Sequence, residues 1–144
     1  MAEHTSSSIT IDAAPEAILA VIRDLESYPV WTDAISEVVI DEAGKPGPKR
    51  ATFSVSANGM ADQYTLVYEW KADGVSWELA APSNLQKSQQ GSYQLTPTGS
   101  ATKVDYALTM EGKIPMIGML KRKIQKRITD TALKELKNRV ESLG

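Results

Sequence analysis

The sequence predicts an α+β domain: a curved antiparallel sheet, roughly seven-stranded, around one long C-terminal helix, with two short helices after the first strand. Three observations carry this prediction. From residue 35 to 110, apolar and polar residues alternate in segments separated by breaks rich in Gly, Pro, Asn and Asp, the pattern of an antiparallel meander. After Gly112-Lys113-Ile114-Pro115 the period changes, and Ile117, Leu120, Ile124, Ile128, Ala132, Leu136 and Val140 step by three or four residues. Ahead of the meander stands a lone strand followed by two short helical patterns.

In chain order, Ile9 and Ile11 alternate with polar neighbours in a first strand over 5–11. Pro15 and Glu16 suit the opening turn of a helix, and Ala14, Ile18, Val21, Ile22 and Leu25 give it one apolar face. Pro29 is expected to break that helix at Tyr28, with a further helical turn over 30–34. Val38 and Ile40 then start a strand that ends in the turn-rich stretch 41–48. Phe53, Val55 and Ala57 form the next, closed by Asn58-Gly59, the strongest short hairpin signal. Tyr64, Leu66, Tyr68 and Trp70 share one face, as do Val75, Trp77 and Leu79 beyond the Asp73-Gly74 turn. Gln89, Tyr93 and Leu95 share a face over 85–96, and Val104, Tyr106, Leu108 and Met110 follow the Pro97–Ser100 turn.

Composition narrows the functional classes. The chain has 144 residues and a net charge of -2, one domain's length with no global attraction to nucleic acid. Cysteine is absent, which removes disulfides, thiol catalysis and thiolate metal sites. The single histidine, His4, lies near the chain end, so neither a zinc centre nor a Ser-His-acid triad is expected. No apolar run is long enough to span a bilayer, and the segment MAEHTSSSIT lacks the features of a secretory signal. A cytoplasmic monomer without metal or cofactor is the expectation.

A twisted sheet must bury its apolar face against something, and only the last helix is long enough. A residual cavity between the two follows. Its expected lining is Phe53, Val55, Tyr64, Leu66, Tyr68, Trp77, Tyr93, Tyr106, Leu108 and Met110 from the strands, with Met116, Met119, Leu120 and Ile124 from the junction and helix. The amphipathic aromatics among them suit an apolar ligand that also accepts or donates hydrogen bonds.

The order β-αα-β-meander-α, together with APEAILAVIRDLESYPVW, VSWEL, GSYQLTPTG, TKVDYAL and IPMIGMLKRKI, resembles the START-related (Bet v 1-like, SRPBCC) helix-grip superfamily. Within it, the chain is most similar to the bacterial polyketide cyclase/dehydrase family. The likeness spans nearly the whole chain and speaks for fold more than function. It implies an internal apolar cavity that binds lipids, sterols, quinones, hormones or polyketides, and in some members aromatisation or cyclisation of a polyketide. Tyr28 and Trp31 match a helix-closing Tyr-Pro-x-Trp element, which is read as structural.

Strand parity offers a test for catalysis. Glu69, Glu78 and Asp105 fall opposite the apolar faces, whereas Asp62, Lys87 and Gln89 share the inner parity, Asp62 and Lys87 near strand ends as water-exposed rim residues. Asp62 and Gln89 are the only candidate catalytic residues, and they make a weak constellation. The leading expectation is therefore a carrier or sequestering protein for a small hydrophobic molecule; the alternatives are a polyketide aromatase/cyclase and a chaperone-like interaction module. Lys121, Arg122, Lys123, Lys126 and Arg127 follow the apolar cluster Ile114–Met119, a combination suited to an anionic membrane or an acidic acyl carrier, or to a plain solvated helix face.

Overall fold

In a computed structural model, residues 2–57, 59–113 and 118–144 are described. Strand β1 (Glu3–Ile11) leads into α1 (Pro15–Arg23), a 3-10 turn (Leu25–Ser27) and α2 (Tyr28–Trp31). The meander follows as β2 (Ile35–Glu42), β3 (Arg50–Ala57), β4 (Met60–Lys71), β5 (Gly74–Leu79), β6 (Gln86–Thr98) and β7 (Ala101–Gly112), and α3 spans Gly118–Leu143. All seven strands form one antiparallel sheet in the order β1-β7-β6-β5-β4-β3-β2. The helix-grip architecture is thus as the sequence implies.

Local chemistry accounts for the joints. Ala57 pairs with Met60 across the β3–β4 hairpin, and Gly59 takes the left-handed φ of 78° that such a tight turn needs. Asn58 lies outside the described residues, as do Ile114, Met116 and Ile117. The break after α1 comes earlier than expected, at Asp24 (φ -84°, ψ 70°). Tyr28 is helical (φ -51°, ψ -40°) despite the following proline. Its hydroxyl donates to the Ile22 carbonyl at 2.6 Å and its ring meets Trp31 edge-on at 4.9 Å, contacts that override the local bias.

Helix α3 packs along β1 and, less, β7, touching α1 and α2 with its far half. At that end the core is closed: Ile11, Ile18, Val104 and Leu136 are fully buried, with Leu25, Leu95 and Val140 close behind. The inner faces of β3–β6 receive little cover from the helix. Tyr64, Tyr68, Trp70, Leu79 and Tyr93 there pack against the core yet remain only partly buried. These side chains keep accessible surface on the face of the sheet turned towards α3, and this incompletely covered wall is the recess.

The buried stripe of α3 differs from the expected one. Leu136 and Val140 are buried as predicted, with Leu133, but the first half buries Gln125 and Thr129. Leu120, Ile124 and Ile128 are 46%, 41% and 41% exposed. Gln125 is the reason: its Nε2 donates to the carbonyls of Glu3 (2.7 Å) and Leu108 (2.9 Å), tying the helix to strand backbone. An amide that satisfies buried carbonyls displaces an isoleucine from the interface.

Candidate functional site

Strand register builds the recess wall row by row. Tyr106, Tyr93, Val75 and Trp70 stand opposite one another on β7, β6, β5 and β4. Leu108, Gly91, Trp77 and Tyr68 form the next row, and Tyr64 faces Phe53 on β3. The rings run on continuously: Phe53–Tyr64 stack at 5.7 Å, Tyr68–Trp77 meet at 6.1 Å, Trp77–Tyr93 at 5.4 Å and Tyr93–Tyr106 at 4.8 Å. Tyr28, 6.2 Å from Phe53, carries the chain of rings over to Trp31 on α2. Trp77 can lie flat across β6 because Gly91 offers no Cβ at the closest approach.

Polar atoms punctuate this wall. Among the described residues, the hydroxyls of Tyr64, Tyr68, Tyr93 and Tyr106 have no hydrogen-bond partner. Burial raises the pKa of each: Tyr64 is pushed up to about 12, with the Asp62 carboxylate adding to the effect. Tyr68, Tyr93 and Tyr106 are also raised, first by burial and then by neighbouring groups, which include Glu135 beside Tyr93. At neutral pH these are neutral phenols able to donate. The indole Nε1 of Trp31 is buried without a partner, an orphan donor beside the same ring chain.

Asp62 and Gln89, singled out by parity, are brought together through hydrogen bonds. The Trp77 indole donates to Gln89 Oε1 at 2.9 Å, and Gln89 Nε2 donates to Gln86 Oε1 at 2.7 Å. The Gln86 backbone N–H donates to Ser83 Oγ at 3.1 Å, and that hydroxyl donates to Asp62 Oδ2 at 2.6 Å. Asp62 Oδ1 accepts from the Gln63 N–H at 2.9 Å. Asp62 is therefore buried at 7% exposure, where a water-exposed rim position was expected. Lys87 is exposed, as expected of a rim residue: a register shift between Gln86 and Ser88 accompanies its outward place, 3.5 Å from Glu111.

Of the other expected lining residues, Phe53, Leu66, Trp77, Tyr106 and Leu108 are buried, and Val55, Tyr64, Tyr68, Tyr93 and Met110 are half-buried against them. Met119, Leu120 and Ile124 are exposed on α3, and Met116 lies outside the described residues. Reading the sequence missed Glu135. One flank of α3 grips the outer edge of β1, where Lys126 and Asp130 meet Ser7, and Lys137 meets the Thr10 carbonyl. Ile124, Ile128 and Glu135 occupy the opposite flank, as their helical spacing requires. Glu135 accepts from the Asp33 N–H at 3.1 Å, and burial raises its pKa. Only its i+7 spacing from Ile128 hinted at this place.

Two surface clefts lie outside the recess proper. One, of about 340 Å³, is bounded by Lys45, Gly47, Arg50 and Trp70 and reaches Tyr68. The other, of about 480 Å³, runs between the start of β1 and Arg122, Lys123 and Lys126 of α3. His4 is spent on the exposed side of β1, 2.7 Å from Thr109 Oγ1. Among the described residues no cluster of His, Asp or Glu has the makings of a metal site, and no helix is long and apolar enough to cross a membrane.

Comparison with known proteins decides the family. A family model described as "Polyketide cyclase / dehydrase and lipid transport" matches residues 2–141. The chain belongs to this family. Among solved structures, a START superfamily protein from Mycobacterium smegmatis is 23% identical, with a TM-score of 0.90 over 98% of this chain and 99% of that one. The Zhui aromatase/cyclase from Streptomyces sp. R1128 is 13% identical, TM-score 0.85, covering 98% and 94%. A protein from Thermus thermophilus is 22% identical, TM-score 0.83, covering 99% of both chains. At these identities the likeness establishes the START/Bet v 1 fold alone. No curated protein matches the chain.

Proposed function

We propose that this protein carries or sequesters a small, mostly apolar molecule bearing oxygen substituents, such as a quinone, lipid or polyketide-like compound, in the recess between sheet and α3. The observation that carries the reading is the set of four neutral tyrosine hydroxyls without protein partners in a wall otherwise made of rings and aliphatic side chains. Hydroxyls so placed select for ligand oxygens while the rings supply most of the contact area. Asp62, the one carboxylate among the residues that parity singled out, has both oxygens engaged by Ser83 and Gln63, which fits a positioning role better than proton transfer.

Native mass spectrometry of gently purified protein, combined with thermal-shift titration against fatty acids, quinones and aromatic polyketides, tests the proposal. A co-purifying small molecule, or saturable stabilisation that weakens in Tyr93→Phe without loss of melting temperature in the free protein, is the expected result. Absence of stabilisation by any oxygenated apolar compound overturns it. An aromatase/cyclase is the second reading, favoured by Asp62 beside Tyr64. Turnover of a poly-β-keto substrate that is abolished in Asp62→Asn, with binding retained, decides for it.

A further inference from the structure

The first three turns of α3 carry a surface that ligand holding does not use. Five of the sixteen Lys and Arg residues lie between 121 and 127, a stretch holding none of the eighteen Asp and Glu. Arg122, Lys123, Lys126 and Arg127 are all exposed. Interleaved with them are Met119 at 65%, Leu120 at 46% and Ile124 at 41% exposure. Gln125 and Thr129, on the opposite face, anchor the helix, so its outward side is fixed. Along that side Leu120 and Ile124 are one turn apart, as are Lys123 and Arg127, putting apolar and cationic rows next to each other.

We propose that this face of α3 docks on an anionic lipid bilayer, seating Met119, Leu120 and Ile124 at the headgroup boundary while Lys123 and Arg127 engage lipid phosphates; Lys126 is held on the β1 side by Asp130 and Ser7. Charge complementarity identifies the occupant. The chain is acidic overall, so attraction to an anionic surface has to come from a local patch, and this stretch supplies one. A second copy of the chain is disfavoured because two such faces repel. A phosphate backbone of nucleic acid would use the cations but leave three large apolar side chains in water. A bilayer interface satisfies both sets, since long basic side chains lie over apolar ones and keep their charge among headgroups.

Vesicle co-sedimentation of the full-length protein tests this, with vesicles of phosphatidylcholine alone and of phosphatidylcholine containing a third phosphatidylglycerol. The expected result is binding to the anionic vesicles, at least about tenfold weaker on neutral ones and largely lost at high salt. Lys123→Glu with Arg127→Glu should weaken binding at least about tenfold, and the charge-neutral pair Leu120→Gln and Ile124→Gln about fivefold or more. Equal partition of the wild-type protein into both vesicle types, or into neither, overturns the proposal. Sensitivity to charge reversal without sensitivity to the glutamine pair overturns the seated geometry. Failure on vesicles alongside charge-dependent capture of an acidic carrier protein assigns the face to a protein partner and overturns the lipid. No ligand is needed in any arm, so failure here leaves the binding role of the recess intact.

Discussion

Gly91→Ala is the most demanding test of how the recess wall is built. A Cβ at position 91 would lie 2.3 Å from Cε2 and Cζ2 of Trp77 and 2.6 Å from its Nε1, all well inside contact distance. The indole must shift, either against its ring neighbours or into the recess. Tyr68, Tyr93 and Tyr106 flank it at 6.1, 5.4 and 5.7 Å, and its N–H is bound to Gln89. Overpacking a well-filled site costs about 1–3 kcal/mol. Tilting the ring away from Gln89 strands a buried donor and acceptor for another ~1–3 kcal/mol. Against this, replacing glycine restricts the unfolded chain, worth about 0.4–1 kcal/mol in the opposite direction. The balance is a destabilisation of roughly 2–4 kcal/mol, or about 6–15 °C in melting temperature for a chain of this size. Urea melts with unchanged slope and calorimetry measure it. In a Trp77→Phe background, which lacks the clashing fused ring, the same substitution should cost less than about 1 kcal/mol, a large coupling. A melting temperature unchanged within about 1 °C in the wild-type background refutes the close approach.

Gln125→Leu keeps volume but strands the Glu3 and Leu108 carbonyls, so it should cost about 1–3 kcal/mol and speed amide exchange in β1. All five tyrosines are raised above the ordinary value of 10.0, so native-state tyrosinate absorbance should stay flat through that pH, Tyr64 ionising near 12, while the denatured chain titrates normally; one tyrosine titrating at its ordinary value in the folded protein contradicts the buried wall. Glu135 has its folded pKa raised above 4.5, chiefly by burial, so its contribution is best below that pH and is lost as pH rises through the folded value. Glu135→Gln should therefore raise the melting temperature modestly at neutral pH and leave it unchanged in acid, read from paired thermal melts. Glu141 behaves oppositely: the Asp12 N–H and Lys137 lower its pKa, so its stabilising effect exists above 4.5 and fades as pH falls, and Glu141→Gln should flatten that acid limb.

The meander was legible because period-two alternation and turn residues are local signals, and register then puts Tyr64, Tyr68, Trp77, Tyr93 and Tyr106 on one wall. Parity also found Asp62 and Gln89 as inward groups. Lys87 is the exposed rim residue that its place near a strand end suggested, but the bulge beside it was not legible, since it changes which side a residue faces without changing composition. The stripe on α3 was half right for a similar reason. Leu136 and Val140 meet other helices and strands through apolar contact, which hydropathy records. Gln125 is buried because two strand carbonyls need its amide, a long-range fact that no local window contains. Tyr28 misled through a sound local rule, outweighed by a hydrogen bond to Ile22. The unpaired Trp31 N–H and the place of Glu135 stayed hidden because α2 and α3 come together only in three dimensions.

The concentration of rings on one wall makes the protein its own optical gauge. The chain has three tryptophans, and each stands within 5.7 Å of a tyrosine ring in the recess: Trp31 by Tyr28, Trp70 by Tyr68, and Trp77 by Tyr93 and Tyr106. Excitation energy absorbed by the phenols passes to indoles that face the same space. None of these fluorophores lies on α3. An occupant of the recess will therefore shift or quench emission, whereas contact of α3 with a surface will leave the spectrum unaltered, so a single cuvette separates the two events without any label.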